Sequence, residues 1–262
     1  MGYRESWKKA WVGRKVKGKR SNSRFATRNL ALVCVFAPLC TIFSFWSLFP
    51  IIGAIETSIK VTAVIAPLIG IILGPYMGAF AVALGGAVGT SIAQTGPFGA
   101  LSFIPWMATA FCSGLLYRRK WRLSAVLYSV LLLIFAFYPA VGPAWLHPYL
   151  VWFQLVGLAV LISPLQLKAV TLSQHTSARG LIFGVAVISL ISALFGQIVG
   201  SMMFEIMYWP TVYSELNFWV SLWQALTFVY PIERTIITVM VTFIGVPLIR
   251  ALKAWGYEIG GK

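Results

Sequence analysis

Long apolar stretches follow one another along almost the whole chain, and they constrain its fold more than any other feature. Charged residues, prolines and glycines divide them into eight blocks: 29–49, 57–74, 76–95, 100–117, 122–141, 148–167, 180–206 and 217–252. A membrane-spanning helix needs about 20 apolar residues. Only 10% of the residues are charged, against about 25% in soluble domains. The sequence therefore predicts an all-α, polytopic membrane helix bundle with about eight spans.

The domain organisation follows from these blocks. Residues 1–28 form a basic cytoplasmic leader, 29–254 the transmembrane helical domain and 255–262 a cytoplasmic tail. The last apolar block is too long for one span. We expect Pro231 to divide it into an outer portion, 217–229, and a spanning portion, 232–252, because proline interrupts helical hydrogen bonding.

The basic residues predict the orientation in the membrane. Ten of the 21 Lys and Arg residues precede the first apolar block. With a cytoplasmic N-terminus, an even number of spans places 19 of the 21 on the cytoplasmic side, as the positive-inside rule requires. Only Lys60 and Arg234 then fall in the outer half. We therefore expect a multi-pass cell-membrane protein with both termini cytoplasmic, and anionic membrane lipids rather than nucleic acid as the partner of the positive charge.

The adjacent residues Glu233 and Arg234 are the least expected charges in the sequence. Arg234 lies sixteen residues before Arg250, about 24 Å along a helix, so we place it slightly inside the outer boundary of the bilayer. Neighbouring residues on a helix point about 100° apart. Because lipid penalises exposed charge, at least one of the two side chains is expected to face other helices or a cavity.

Other polar and small residues each allow two interpretations. Gln197 bonds either a neighbouring helix or a ligand. Residues 89–105 form a plain loop or irregular backbone beside a cavity, and the aromatic-rich stretch 209–231 is an interfacial anchor or a lid over an outward-facing site. Ala79, Ala83 and Ala87 share one helix face, for internal packing or for docking a partner membrane protein.

Motifs for catalysis and metal binding are absent from the sequence. It has no Walker A, H-E-x-x-H or G-x-S-x-G motif and no Asp. Cys34, Cys40 and Cys112 lie in apolar blocks and are expected to pack as small residues. His147 and His175 fall on opposite sides of the predicted membrane. We therefore expect a protein that is not an enzyme and that carries no cofactor or metal.

Three stretches of the sequence resemble the substrate-binding S components of energy-coupling factor (ECF) transporters. They are "ATRNLALVCVFAPLCTIF" in the first block, "KVTAVIAPLIGIILGPYMGAFAVALGGAVG", and the terminal "YPIERTIITVMVTFIGVPLIRAL". Within the second stretch, "GIILGPYMGA" is similar to the family's L-x-G-P-x-x-G-A turn between its second and third helices. Together the three stretches cover about a third of the chain.

The resemblance implies a six-helix core with a vitamin- or metal-binding pocket near the outer face. It also implies a transmembrane scaffold subunit and two ATPase subunits as partners. Blocks 122–141 and 148–167 would be an inserted pair of helices. The strict spacing of the family's A-x-x-x-A docking motif falls on Ala79, Ala83 and Ala87 rather than on the first span.

We therefore interpret the chain as the membrane-embedded substrate-capture subunit of an ECF-type importer for a vitamin or similar micronutrient. The candidate substrate-binding residues are Glu56, Lys60, Gln94, Gln197, Glu205, Asn217, Trp223, Glu233 and Arg234. Arg234 and Lys60 would bind an anionic group of a small-molecule ligand, the Glu and Gln residues its polar atoms, and Trp223 would stack on it. The alternatives are a membrane-embedded enzyme or assembly factor acting on a lipid-linked substrate, and a secondary transporter, for which paired inverted repeats are expected.

Overall fold

A computed structural model describes residues 30–50, 58–93, 98–174, 177–257 and 259–260. In these ranges the chain is a bundle of α-helices, which confirms the predicted all-α fold. The helices are α1 Leu30–Phe43, α2 Thr62–Leu73, α3 Pro75–Ala93, α4 Ile104–Tyr117, α5 Trp121–Ala136, α6 Pro143–Leu146, α7 Trp152–Ile162, α8 Pro164–Gln174, α9 Ala178–Tyr208 and α10 Leu216–Ala254. Between α1 and α2, the short strands β1 (Ser47–Pro50) and β2 (Ser58–Lys60) pair antiparallel. The basic leader lies outside the described residues.

The predicted count of about eight spans is not confirmed. Within the described ranges, four segments are helical, long and apolar enough to cross a membrane: α3, α4 with the 3-10 turn before it, α9 and α10. The pair α7 and α8 makes a fifth if its 66° bend lies within one span. The first two apolar blocks each include a strand of the hairpin, so α1 and α2 are shorter than the blocks that contain them.

Glycines allow the first four helices to pack with their main chains close together. A Cβ atom at Gly70 of α2 would overlap the carbonyl oxygen of Ala110 in α4. A Cβ atom at Gly85 of α3 would overlap the carbonyl oxygen of Ala37 in α1. Small residues permit such close approach of helices in membranes, and here they bring α1, α2, α3 and α4 into one compact group.

The prediction that Pro231 divides the last block is wrong, because α10 is continuous over 39 residues. Proline has no N–H, so the carbonyl of Thr227, four residues earlier, has no helical partner at this point. The indole N–H of Trp152, at the start of α7, donates a hydrogen bond to that carbonyl at 3.1 Å. A side chain from a neighbouring helix thus satisfies the carbonyl that Pro231 leaves free.

The turn between α2 and α3 contacts a segment that follows α10. The amide N–H of Gly260 donates to the carbonyl of Ile72 at 2.9 Å, and the guanidinium of Arg118 donates to the carbonyl of Gly260 at 2.6 Å. Gly74, in the turn, has a φ of 82°, which favours glycine. These bonds join α2, α4 and the residues after α10 at one end of the bundle.

We expect Gly70→Ala to destabilise the protein by about 1–3 kcal/mol, because the new methyl group meets a main-chain oxygen that cannot move independently of α4. Gly200→Ala is the matched control on α9, since its Cβ would lie 3.4 Å from the nearest atom, an ordinary contact. The thermal midpoint of the purified protein in detergent measures both. Equal midpoints for the two variants would contradict close packing at Gly70.

Trp152→Phe is expected to cost about 1–3 kcal/mol, because it leaves the carbonyl of Thr227 buried without a donor. In a Pro231→Ala background the helix regains its own N–H at that position. The same Trp152→Phe change should then cost much less. A double-mutant cycle on thermal unfolding measures the difference, and a cost that is the same in both backgrounds would show that the indole bond does not compensate for Pro231.

Candidate ligand-binding cavity

A cavity of about 130 Å³ lies inside one end of the bundle. It lies where α1 and α3 end and α2 and α4 begin, away from the contacts of Gly260. The described residues that line it come from β2 and from α1–α4, α9 and α10, with the connections next to them. They are Ser44, Ser58, Ile59, Lys60, Ala63, Thr90, Ala93, Phe98, Ser102, Pro105, Trp106, Thr109, Ala193, Gly196, Gln197, Gly200, Ser201, Phe204, Leu222, Trp223, Leu226, Tyr230, Glu233 and Arg234.

Glu233 and Arg234 both border the cavity, and they form an ion pair with each other. Arg234 Nη2 lies 3.6 Å from Glu233 Oε2, and the two side chains are 11% and 9% exposed respectively. The distance is too long for a hydrogen bond. Glu233 Oε2 and Arg234 Nε have no hydrogen-bond partner within the described part of the chain. The pair therefore neutralises its own charge while a donor and an acceptor stay available.

Lys60 brings a second positive charge to the cavity from the hairpin. The residue is 6% exposed, and its ammonium donates to Ser47 Oγ at 3.1 Å. Burial lowers the pKa of this amino group, because desolvation disfavours the charged form. An anion beside Lys60 would offset that penalty. With the Glu233–Arg234 pair neutral, the charged residues in the described part of the lining have a net charge of +1.

Gln197 is the most conspicuous uncharged polar group in the wall. The residue is 5% exposed, and neither its amide oxygen nor its amide nitrogen has a partner among the described residues. Its neighbours in the wall differ: Thr90 donates to the carbonyl of Ala100 and Thr109 to that of Pro105, both at 2.9 Å. A buried amide without partners costs about 1–3 kcal/mol per unmade bond, so this one is poised to bond a molecule in the cavity.

Flat aromatic side chains make up much of the remaining wall. Trp106, Phe204 and Tyr230 contribute rings, and Tyr230 Oη lies 3.4 Å from Ser201 Oγ. Phe204 also begins a run of stacked rings. The run continues through Tyr208, Tyr213 and Phe218, where the chain passes from α9 to α10. Such a wall favours a flat, partly apolar ligand.

Trp223 borders the cavity, and its indole N–H is already used. It donates to the carbonyl of Val141 at 2.8 Å, and the ring meets Phe135 edge-on. Both contacts are with the segment from α5 to α6. Trp223 therefore fixes that segment against α10, and only its apolar surface is available for the stacking that the sequence suggested.

The structure brings some of the predicted site residues together and separates others. Lys60, Gln197, Trp223, Glu233 and Arg234 meet at one cavity. Glu205 is fully buried on α9 with neither carboxylate oxygen bonded to a described residue, but it is not among the described lining residues. Asn217 is exposed at the start of α10. Glu56 and Gln94 lie outside the described residues.

The alanines predicted for docking lie on the flank of α3. Ala79, Ala83 and Ala87 are each half-buried, beside a fully outward face that carries Phe80 and Leu84. The glycines of the same stretch make the internal contacts. Internal packing of this stretch is therefore made by its glycines, and docking at the three alanines stays a prediction.

Several wall residues escaped the sequence analysis because they are common and small. Ser44, Thr90, Ser102, Thr109 and Ser201 are hydroxyl residues within apolar stretches, where they ordinarily bond the carbonyl one turn earlier. The signal that could have found them is their position, since each lies at the same end of its block in the predicted topology.

Comparison of the chain with protein-family models, curated proteins and solved structures finds no match. No cluster of three or more His, Cys, Asp or Glu side chains suited to a metal occurs in the described ranges. The fold and the cavity define a class of protein. It is a helical protein of membrane type, with an internal pocket lined by apolar and aromatic side chains and by the cation of Lys60.

We expect Trp223→Phe to cost about 1–3 kcal/mol, because the buried carbonyl of Val141 loses its donor. Trp255→Phe is the matched control, since Trp255 is 85% exposed. Thermal unfolding in detergent measures both. A Trp223→Phe variant as stable as the control would show that this indole bond contributes nothing.

Proposed function

We propose that the chain is the membrane-embedded substrate-capture subunit of an ECF-type importer for a vitamin or similar micronutrient. One observation carries the proposal: Lys60, Gln197 and the Glu233–Arg234 pair, from three distant parts of the sequence, border one cavity within an apolar bundle. Buried charge in a membrane protein is costly and marks functional sites. A cavity in which some polar groups have no partner among the described residues is suited to retaining a small molecule.

The origin of the lining residues supports a six-helix core with an insertion. The described lining belongs to α1–α4, α9, α10 and the connections beside them. Helices α5, α7 and α8 pack on α9 from outside this group. Helices α5 and α7 correspond to the blocks interpreted as an inserted pair, whereas α8 continues beyond the second block. We propose that these helices complete the bundle as additional spans, for about eight in all.

The proposed topology places the cavity towards the cell exterior. Arg118, Arg119 and Arg250 lie at the opposite end of the bundle, which is then cytoplasmic by the positive-inside rule. In this arrangement a transmembrane scaffold subunit and two ATPase subunits act from the cytoplasmic side. The flank of α3 with Ala79, Ala83 and Ala87 is the proposed docking face for the scaffold.

Mass spectrometry of small molecules released from the purified protein tests the proposal. The wild-type chain should release one micronutrient-sized molecule in near-stoichiometric amount. We expect Lys60→Gln, Glu233→Gln and Arg234→Gln each to reduce retention at least ten-fold, since each removes a charge from the cavity wall. The matched controls are Lys168→Gln, Glu215→Gln and Arg250→Gln, because all three side chains are exposed.

The outcomes separate the candidate functions. Retention that is unchanged in all three cavity variants would contradict the assignment of this site. Chemical turnover of the released molecule by the chain alone would favour an enzyme or assembly factor that acts on a lipid-linked substrate. Co-purification with ATPase subunits would favour the importer.

A further inference from the structure

We infer that the ligand of the cavity is a heterocyclic acid of one or two rings, with at least one ring edge that carries an N–H beside a C=O, and one carboxylate. This inference rests on the proposed function and names the ligand class of the same site. It depends on three features of the described part of the cavity wall: the hydrogen-bonding groups without a partner there, the one cation that has no counter-ion there, and the size of the cavity.

Gln197 defines the first feature. A primary amide offers a donor and an acceptor side by side. It pairs with an N–H and C=O edge of a ring through two parallel hydrogen bonds, as glutamine does with a base edge in nucleic acids. Both amide atoms of Gln197 are shielded from solvent and lack a partner in the described chain. A ring lactam or imide supplies both partners at once.

The ion pair offers a second arrangement of the same kind. Glu233 Oε2 is an acceptor without a hydrogen bond, and Arg234 Nε is a donor without one, so far as the described residues show. The two groups lie on adjacent residues of α10 and border the same cavity as Gln197. A ring with a second N–H and C=O edge, such as a pyrimidinedione, satisfies both arrangements.

Lys60 defines the charge of the ligand. Arg234 has Glu233 as its counter-ion, whereas Lys60 contacts the uncharged hydroxyl of Ser47. An ammonium has three donors, and this contact uses one of them. A ligand carboxylate at Lys60 would neutralise the net charge of +1 on the lining side chains and restore what burial takes from the charged amine.

The volume of the cavity limits the size of the ligand. A cavity of about 150 Å³ holds one benzene molecule, and drug-sized ligands occupy roughly 300–1,000 Å³. At about 130 Å³, this cavity is close to the size that holds one unsubstituted ring, so a ring with a carboxylate, or two fused rings, fits only after side chains of the wall move. The aromatic walls formed by Trp106 and Tyr230 suit the faces of such a ring.

Equilibrium binding to the purified full chain tests this inference with four probes. Orotate has a carboxylate and two N–H and C=O edges. Orotate methylated at both ring nitrogens loses those edges, benzoate has only the acid, and uracil has only the edges. We expect orotate, after release of any retained molecule, to bind at least ten-fold more tightly than each of the others, because a site built for hydrogen bonds rejects analogues that leave its groups unpaired.

Two variants assign the preference to residues. Gln197→Leu should weaken orotate binding at least ten-fold and leave benzoate binding unchanged. Lys60→Gln should abolish the preference for orotate over uracil. Thermal unfolding verifies that both variants are folded, and Lys168→Gln is the charge control. Orotate that binds no better than its N-methylated form, or no better in wild type than in Gln197→Leu, would overturn the inference.

The failure of this inference differs from the failure of the proposed function. A retained natural molecule that lacks the N–H and C=O edge or the acid overturns the ligand class and leaves the capture function intact. Turnover of a bound heterocyclic acid without ATPase subunits overturns the capture function and leaves the ligand class standing.

Discussion

Satisfaction of polar main-chain groups inside an apolar bundle is the constraint on which the rest of this structure depends. Pro231 would leave the carbonyl of Thr227 without a donor, and the Trp152 indole supplies one. In the other direction, Trp223 of α10 donates to the carbonyl of Val141, between α5 and α6. Because α10 stays continuous through Pro231, Glu233 and Arg234 are presented from a regular helix, and their side chains border the interior.

Polar groups with and without partners lie side by side in the cavity wall. Thr90 and Thr109 donate to nearby carbonyls. Gln197, Glu233 and Arg234 border the same space and keep atoms without partners. Folding alone gains nothing from such atoms, because each unmade bond in a low-dielectric interior costs free energy. Gln154, Gln166 and Glu205 also keep buried side-chain atoms without a described partner, although they do not line the cavity. Gln197, Glu233 and Arg234 differ from them because they border a space in which a bound molecule can supply the missing bonds.

The sequence predicted the class of fold better than its details. Apolar block length was sufficient for an all-α bundle, and the misplaced charges of Lys60, Glu233 and Arg234 pointed to residues that meet in space. The number of spans was harder, since hydropathy does not distinguish a helix from the hairpin that shortens α1 and α2. Pro231 was misread because its compensation comes from Trp152, almost 80 residues away in sequence. The hydroxyl residues of the wall had only their position in the blocks as a signal, because Ser and Thr are ordinary residues in apolar helices.

The length of α10 has a mechanical consequence. At 39 residues it is a rod of about 58 Å, with the charged pair in its first half. The ammonium of Lys253, in the last turn of α10, donates a hydrogen bond to the carbonyl of Ser173 at the end of α8. One continuous helix therefore borders the cavity in its first half and is tied to the end of α8 by its last turn, so it joins the cavity to the opposite end of the bundle.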